Sequence, residues 1–314
     1  MKAAVIGIGS NSVRVLLADV GEETFSRLWR DREAPRLFAG LDERGNLSRE
    51  SMERTVKAVG RMTEEARARG AERVHIFATS AARDAANGQA FMAAVEEAAG
   101  VRLEIISGEE EAVLSYLGAS CAVGRFDHCG VVDIGGGSTE LISGTEWEID
   151  CAFSCQMGAV RLFRQWAING HEDMKVVEAA ATSILNDNLR QHPEFTFPEI
   201  WVGTGGTFTS LASVARQVPW TDRSNMHGTR LSEAEIRGIG ERLADMPLEE
   251  RLAMPSLQPG RADIVVHGIC ILLAVMNRLG IERIMVSEWG NLDGYFRWEY
   301  YCKKEKDDAV RTER

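Results

Sequence analysis

The segment Ile6-Gly7-Ile8-Gly9-Ser10-Asn11-Ser12 lies over Val132-Asp133-Ile134-Gly135-Gly136-Gly137-Ser138 without a gap, 126 positions further along a chain of 314 residues. The flanks match in kind: Ala4-Val5 precedes the first copy and Val131 the second, and Val15-Leu16 answers Leu141-Ile142. A single long-period repeat of this sort constrains the chain to two related domains. In each copy apolar residues run up to the glycines and resume after them, the pattern of a strand, a tight turn and a second strand. The length agrees, since one domain takes about 100–200 residues.

Around the repeat the chain alternates in type. Strands are expected at Ala3–Ile8 and Val13–Val20, followed by a helix over Ser48–Gly70 with Ser48 as N-cap and Gly70 at its end. A strand at Val74–Ala78, a helix over Phe91–Ala99, a strand at Leu103–Ile106 and a helix from Ser107 follow, and the second strand–turn–strand unit opens at Gly130. The boundary falls near Gly118–Gly124. This gives a first domain over 1–120, rejoined by a terminal helix at 296–314, and a second over 121–295. The charged end, Lys303–Arg314, is expected to fray.

The chain carries 36 Lys and Arg against 47 Asp and Glu, a net charge of -11. Diffuse binding to nucleic acid or a membrane surface is excluded on that balance, because polyanions are repelled on average. The first 120 residues hold 16 basic and 19 acidic side chains and the remainder 20 and 28, so the acidic excess lies mostly in the second half. The six cysteines include no C-x-x-C pair, and no His-rich segment points to zinc; reduced thiols in a cytoplasmic protein are expected. Met1–Gly9 is too short for a signal segment, and the longest apolar stretch, Val265–Met276, falls short of the roughly 20 residues of a membrane span.

Three glycine turns stand out: Gly9–Ser12, Gly135–Ser138 and Gly203-Thr204-Gly205-Gly206-Thr207. Such turns expose consecutive backbone N–H groups, which suit phosphate oxygens. The third joins a strand at Ile200–Val202 to a helix with spacing Phe208, Leu211, Ala212, Ala215, so Thr207 falls at a helix N-terminus, a ready anion site. One glycine turn alone is an ordinary hairpin. Three together, two of them repeated, point to phosphate. The Rossmann fingerprint fails because a strand follows Ser12, and no G-x-x-x-x-G-K-[ST] loop is present.

Paired hairpins with phosphate-cradling turns and a later strand–GxGGT–helix unit resemble the actin, sugar-kinase and chaperone-ATPase superfamily. Within it the chain resembles the exopolyphosphatase and guanosine-pentaphosphate phosphohydrolase (Ppx/GppA) family. The resemblance rests on Gly9–Ser12, Ala78-Thr79-Ser80-Ala81-Ala82-Arg83, Ile106-Ser107-Gly108-Glu109-Glu110-Glu111-Ala112, Asp133–Leu141 and Arg261-Ala262-Asp263-Ile264-Val265. It implies an α/β fold of two related ribonuclease H-like (actin-like ATPase) domains with an interdomain cleft, in the short two-domain form. It further implies hydrolysis of terminal phosphate from polyphosphate or pppGpp, polyphosphate or a guanosine penta- or tetraphosphate as partner, a divalent cation such as Mg²⁺, and a homodimer.

Phosphoanhydride hydrolysis needs charge neutralisation, an oriented water and a base. The resemblance singles out Glu111 as that base. Ser107 and Glu110 have capping-box spacing, which accounts for Glu110 structurally and leaves Glu111 aside. Asp133 and Glu140 are the expected Mg²⁺ carboxylates; the alternatives are a satisfied strand-end carboxylate for Asp133 and a solvent-facing strand position for Glu140. Ser10, Asn11, Ser12, Arg83, Gly135, Gly136, Gly137, Ser138, Gly205, Gly206 and Thr207 are the expected phosphate contacts. Arg261 and Asp263 are left open between a structural and a site role.

Three departures bear on activity. Gly7 stands where the family carries an aspartate before the first glycine turn, Val113 where it tends to carry arginine, and Ser287-Glu288-Trp289-Gly290-Asn291-Leu292-Asp293-Gly294 keeps only part of a Ser-x-x-Gly-Leu-Arg-x-Gly pattern. The alternatives to a hydrolase are accordingly a polyphosphate- or alarmone-binding regulatory protein and a kinase of the same superfamily.

Overall fold

The computed structural model describes residues 1–123, 127–145 and 148–303. It is an α/β protein with two mixed sheets, folded as two units: Met1–Gly118 with Asn291–Arg314, and Ala119–Gly290. Gly124 and the tail 304–314, on which the boundary and fraying expectations partly fall, lie outside the described residues.

The first unit runs β1 (Lys2–Ile8), β2 (Val13–Val20), β3 (Phe25–Glu33), α1 (Arg49–Ala68), β4 (Arg73–Ala78), α2 (Ser80–Arg83), α3 (Gly88–Ala99), β5 (Leu103–Ile105) and the larger part of α4 (Gly108–Val123), whose last residues from Ala119 belong to the second unit. Its strands lie in the order β3-β2-β1-β4-β5, with β1 antiparallel to β2 and parallel to β4. The Ser48 hydroxyl accepts from Ser51 N–H at 3.2 Å, which starts α1, and the chain leaves it through Gly70 at φ +94°. Thr55, Ala58, Val59, Met62 and Ala66 form the helix's buried stripe against the sheet. The helix Asn291–Arg297 returns to pack on β1 and β2.

The second unit runs β6 (Cys129–Ile134), β7 (Thr139–Gly144), β8 (Ile149–Cys155), α5 (Ala159–Gln165), α6 (Met174–Gln191), β9 (Ile200–Thr204), α7 (Gly206–Arg216), β10 (Arg230–Ser232), α8 (Glu233–Asp245), α9 (Leu248–Ala253), α10 (Val265–Leu279) and β11 (Arg283–Val286). Its sheet order is β10-β11-β9-β6-β7-β8. Read from β8 and counted from β6, that is third, second, first, fourth and sixth strand, with the fifth, β10, added at the edge; leaving β10 aside, it is the order of the first unit. The sequence repeat is therefore a repeat of topology. The apolar stretch Val265–Met276 is wholly buried in α10, at the centre of this unit's core with α6 and α8. Among the described residues no helix is long and apolar enough to cross a membrane.

Candidate active site

The two repeated hairpins close in the same way. Gly9 N–H donates to Ser12 O at 3.0 Å, and Gly135 N–H donates to Ser138 O at 3.0 Å. A Cβ would stand 3.3 Å from Ser12 O at Gly9 and 3.1 Å from Ser138 O at Gly135, so a side chain would crowd the same turn oxygen in both copies. In each case a following segment ties down turn carbonyls. Arg36 and Phe38 N–H donate to Asn11 O (3.1 Å) and Ser10 O (2.9 Å) in the first unit. In the second, Ala159, Val160 and Arg161 N–H donate to Gly135 O and Gly136 O at 2.9–3.0 Å, and Arg161 Nε donates to Gly137 O at 2.6 Å. With the carbonyl edge held from behind, such a turn keeps its N–H edge for an anion.

In the second unit Asp133 pairs across the sheet with Glu140 on one side and Thr204 on the other. Directly opposed residues share a sheet face, so the two carboxylates flank the Gly135–Ser138 turn on one side. Both are buried, Asp133 at 8% exposure and Glu140 at 0%. The reading of Glu140 as a solvent-facing strand residue is therefore set aside. Its Oε1 accepts from the Ser154 hydroxyl at 2.7 Å. Asp133 also reaches the third glycine turn: a Cβ on Gly205 would lie 2.6 Å from Asp133 Oδ1. Gly205 itself holds φ +95° and ψ -179°, a region essentially closed to other residues. It caps α7, whose first N–H groups have no intrahelical acceptor. The Thr207 side chain is buried against Gly268 of α10, so what it offers at this helix start is its backbone N–H. Arg261, nearly buried, lays its guanidinium directly on Gly206.

In the first unit Glu111 sits in the opening turn of α4, 6% exposed. The capping box forms as its spacing predicts: Glu110 N–H donates to Ser107 Oγ at 3.0 Å, and Ser107 N–H to Glu110 Oε2 at 2.7 Å. That leaves Glu111 on a different side of the turn, where Arg83 Nη1 stands 3.5 Å from its Oε2. Arg83 closes α2 and is anchored by Nη1 donating to Ile106 O at 2.9 Å. Its Nη2 is buried without a hydrogen-bond partner among the described residues. An orphaned guanidinium donor beside a buried carboxylate costs stability and is the kind of group a phosphate oxygen satisfies. Ser10 Oγ and Ser80 Oγ share a buried hydrogen bond of 2.8 Å, and Asn11 and Ser12 are buried beside them in sequence.

The sequence profile of the Ppx/GppA phosphatase family matches residues 16–298. The chain belongs to that family. Exopolyphosphatase 2 of Mycobacterium tuberculosis is 34% identical over 313 residues, covering 93% of this chain and 97% of the relative. The crystal structure of the Aquifex aeolicus Ppx/GppA family member is 27% identical, with a TM-score of 0.81 over 96% of this chain and 98% of that one. An exopolyphosphatase structure from Cytophaga hutchinsonii shares the fold at 24% identity, with a TM-score of 0.87 over 96% of this chain and 98% of that one.

As a Ppx/GppA chain the protein keeps Glu111 and Arg83 together in one unit and Asp133, Glu140 and two glycine turns together in the other. The sequence places Asp133 and Glu140 on either side of the triple-glycine turn, and the hairpin register pairs them directly. The contact of Asp133 with Gly205 was not legible in the sequence, because 72 residues separate them. The open question of Arg261 narrows: its guanidinium lies on the third glycine turn.

Proposed function

We propose that this protein hydrolyses the terminal phosphoanhydride bond of inorganic polyphosphate. The observation that carries the reading is the buried Glu111 carboxylate beside Arg83, whose second guanidinium nitrogen is unsatisfied. The curated relative named an exopolyphosphatase supplies the substrate class.

In the proposed reaction Glu111 accepts a proton from a water whose oxygen attacks the terminal phosphorus. The P–O bond to the bridging oxygen breaks with its electron pair, releasing orthophosphate and a chain shorter by one phosphate. Arg83 neutralises charge on the transferring phosphoryl oxygens. Ser10, Asn11, Ser12 and the N–H groups of Gly136, Gly137, Ser138, Gly206 and Thr207 bind phosphate oxygens; Gly135 and Gly205 shape the turns. Asp133 and Glu140 fit a Mg²⁺ ion, being two buried hard-oxygen donors on one sheet face, and would supply it with ligands. When bound, the ion neutralises phosphoryl charge.

A second reading is favoured by Gly7. A Cβ there would stand 2.9 Å from Leu292 Cδ2 and 3.2 Å from Phe77 Cζ, so apolar side chains fill the place of the family's aspartate. On that reading the protein binds polyphosphate or a guanosine penta- or tetraphosphate as a sensor with little turnover. Phosphate release from polyphosphate and from pppGpp, with metal titrated, separates the two. Turnover lost in Glu111→Gln supports the hydrolase, and tight calorimetric binding without turnover supports the sensor.

A further inference from the structure

The second sheet has another face. Along β8, Cys151, Phe153 and Cys155 point into the helical core, while Ser154 turns the opposite way to meet Glu140. On the core face, near the free edge of β8, three unlike donors converge. Cys151 Sγ donates to Glu194 Oε1 at 3.4 Å, and His192 Nδ1 lies 3.2 Å from the same oxygen. All three atoms fall within 4.8 Å of one another.

We propose that Cys151, His192 and Glu194 form a binding site for a zinc-type divalent cation, separate from the phosphate-handling groups. The donor set is one sulfur, one nitrogen and one oxygen, which suits borderline-soft Zn²⁺ and disfavours Mg²⁺. With Zn–N and Zn–O bonds of about 2.0 Å and Zn–S of about 2.3 Å, tetrahedral ligand edges fall at roughly 3.3–3.5 Å, close to the two separations seen. Three protein ligands leave the fourth position to water.

The ligands are held in place before any ion arrives. His192 caps α6, its N–H donating to Asn188 O at 3.1 Å, and its ring stacks flat on Phe153 at 4.6 Å and 5°. Phe195 N–H closes the His192-Pro193-Glu194 turn onto His192 O at 3.1 Å, and the Phe195 ring packs edge-on against Phe153. Such support around ligands is what metal sites require. Burial, and then the Glu194 carboxylate, push the Cys151 thiol up to about 12, so it is a protonated donor until a cation displaces the proton. The site lies on the opposite sheet face from Glu140. It is also four residues, about 13 Å, down β8 from Cys155, the residue paired with Thr139 beside the turn. The lack of paired cysteine motifs in the sequence hides it, because its cysteine and histidine are 41 positions apart.

The test uses the full chain freed of metal by a chelator. Zn²⁺ is titrated against a competing chelating dye, with proton release measured, and Co²⁺ is added separately while its thiolate-to-metal charge-transfer band is recorded. One Zn²⁺ per chain with release of a proton is expected. The cobalt band should vanish in Cys151→Ser, and Zn²⁺ affinity should fall at least about tenfold in His192→Gln and Glu194→Gln. Asp133→Asn should leave the cobalt band in place. His192 and Glu194 lie at the surface, so their variants answer the question if Cys151→Ser fails to fold. Absence of the band in the wild type, or a band and affinity unchanged in the three variants, overturns the proposal and leaves a hydrogen-bonded trio.

Discussion

Gly7 invites an obvious experiment, restoring the family's aspartate, and the packing predicts how it goes. Gly7 is buried in β1, opposite Arg14 on β2 and Phe77 on β4. A Cβ there needs Leu292 Cδ2, at 2.9 Å, to retreat by several tenths of an ångström. Overpacking of this size costs about 1–3 kcal/mol, against which alanine returns about 0.5–1 kcal/mol of strand preference over glycine. Gly7→Ala should therefore destabilise by about 1 kcal/mol. Gly7→Asp adds a buried carboxylate, costing about 3–5 kcal/mol as an uncompensated charge, partly offset by an opposite-charge cross-strand pair with Arg14 worth about 0.2–1 kcal/mol. A total of about 3–6 kcal/mol follows. Urea unfolding of wild type, both variants, Leu292→Ala and Gly7→Asp/Leu292→Ala gives the coupling directly. The double variant should be less destabilised than the two singles together by about 0.5–3 kcal/mol. Strict additivity, or a Gly7→Asp as stable as wild type, would refute the account of why this chain carries glycine there.

Other outcomes follow from the same geometry. Arg83→Ala should slow phosphate release about 10- to 100-fold, since charge-assisted hydrogen bonds are worth about 1.5–3 kcal/mol, and Arg83→Lys should recover only part of it; unchanged steady-state rates would remove Arg83 from the site. Asp133→Asn and Glu140→Gln should each raise the Mg²⁺ concentration needed for half-maximal release, and an unaltered metal titration would free them from that role. Burial lowers the pKa of His75, beside Tyr300, and of His267, whose Nε2 meets Trp166 O at 2.9 Å. The unfolded chain then binds more protons than the folded one. Their share of stability is whole above the unfolded value of about 6.5 and is lost as pH falls through the lower folded values. Exposed His171, raised by Asp245, acts in the opposite sense, so denaturation between pH 7.5 and 5 is best followed in His171→Gln. A flat profile there would contradict the burial argument.

The parts of the fold that the sequence announced are those with local signals. The hairpin repeat, the Ser48 cap and the Ser107–Glu110 capping box all formed as spaced. β3 was silent because its buried and half-buried positions mix Phe25 and Trp29 with Arg27, Asp31 and Glu33. Arg27 pairs with Asp293 at 2.5–2.7 Å, and Asp31 and Glu33 pair with Arg61 of α1 at 2.5–2.7 Å, so no period-two hydrophobic pattern exists to read. The helix expected from Phe91 begins three residues earlier at Gly88, and that from Phe208 begins at Gly206, because helix starts follow the chain's turn geometry and not its apolar spacing. At the candidate site, residue identities were legible through the motifs. Three contacts arise only when distant segments meet: Asp133 on Gly205, Arg261 on Gly206 and Glu111 on Arg83.

The net charge of -11 excluded diffuse attraction of polyanions, and the structure offers local groups in its place: glycine-turn N–H donors, Arg83, and two buried carboxylates suited to a divalent cation. The most direct measurement of the central claim is the rate of orthophosphate release from polyphosphate by wild type and Glu111→Gln, at saturating Mg²⁺ and matched folding. Loss of a positioned general base should lower the rate by about 10²–10⁴. Equal rates in the two proteins would contradict the account.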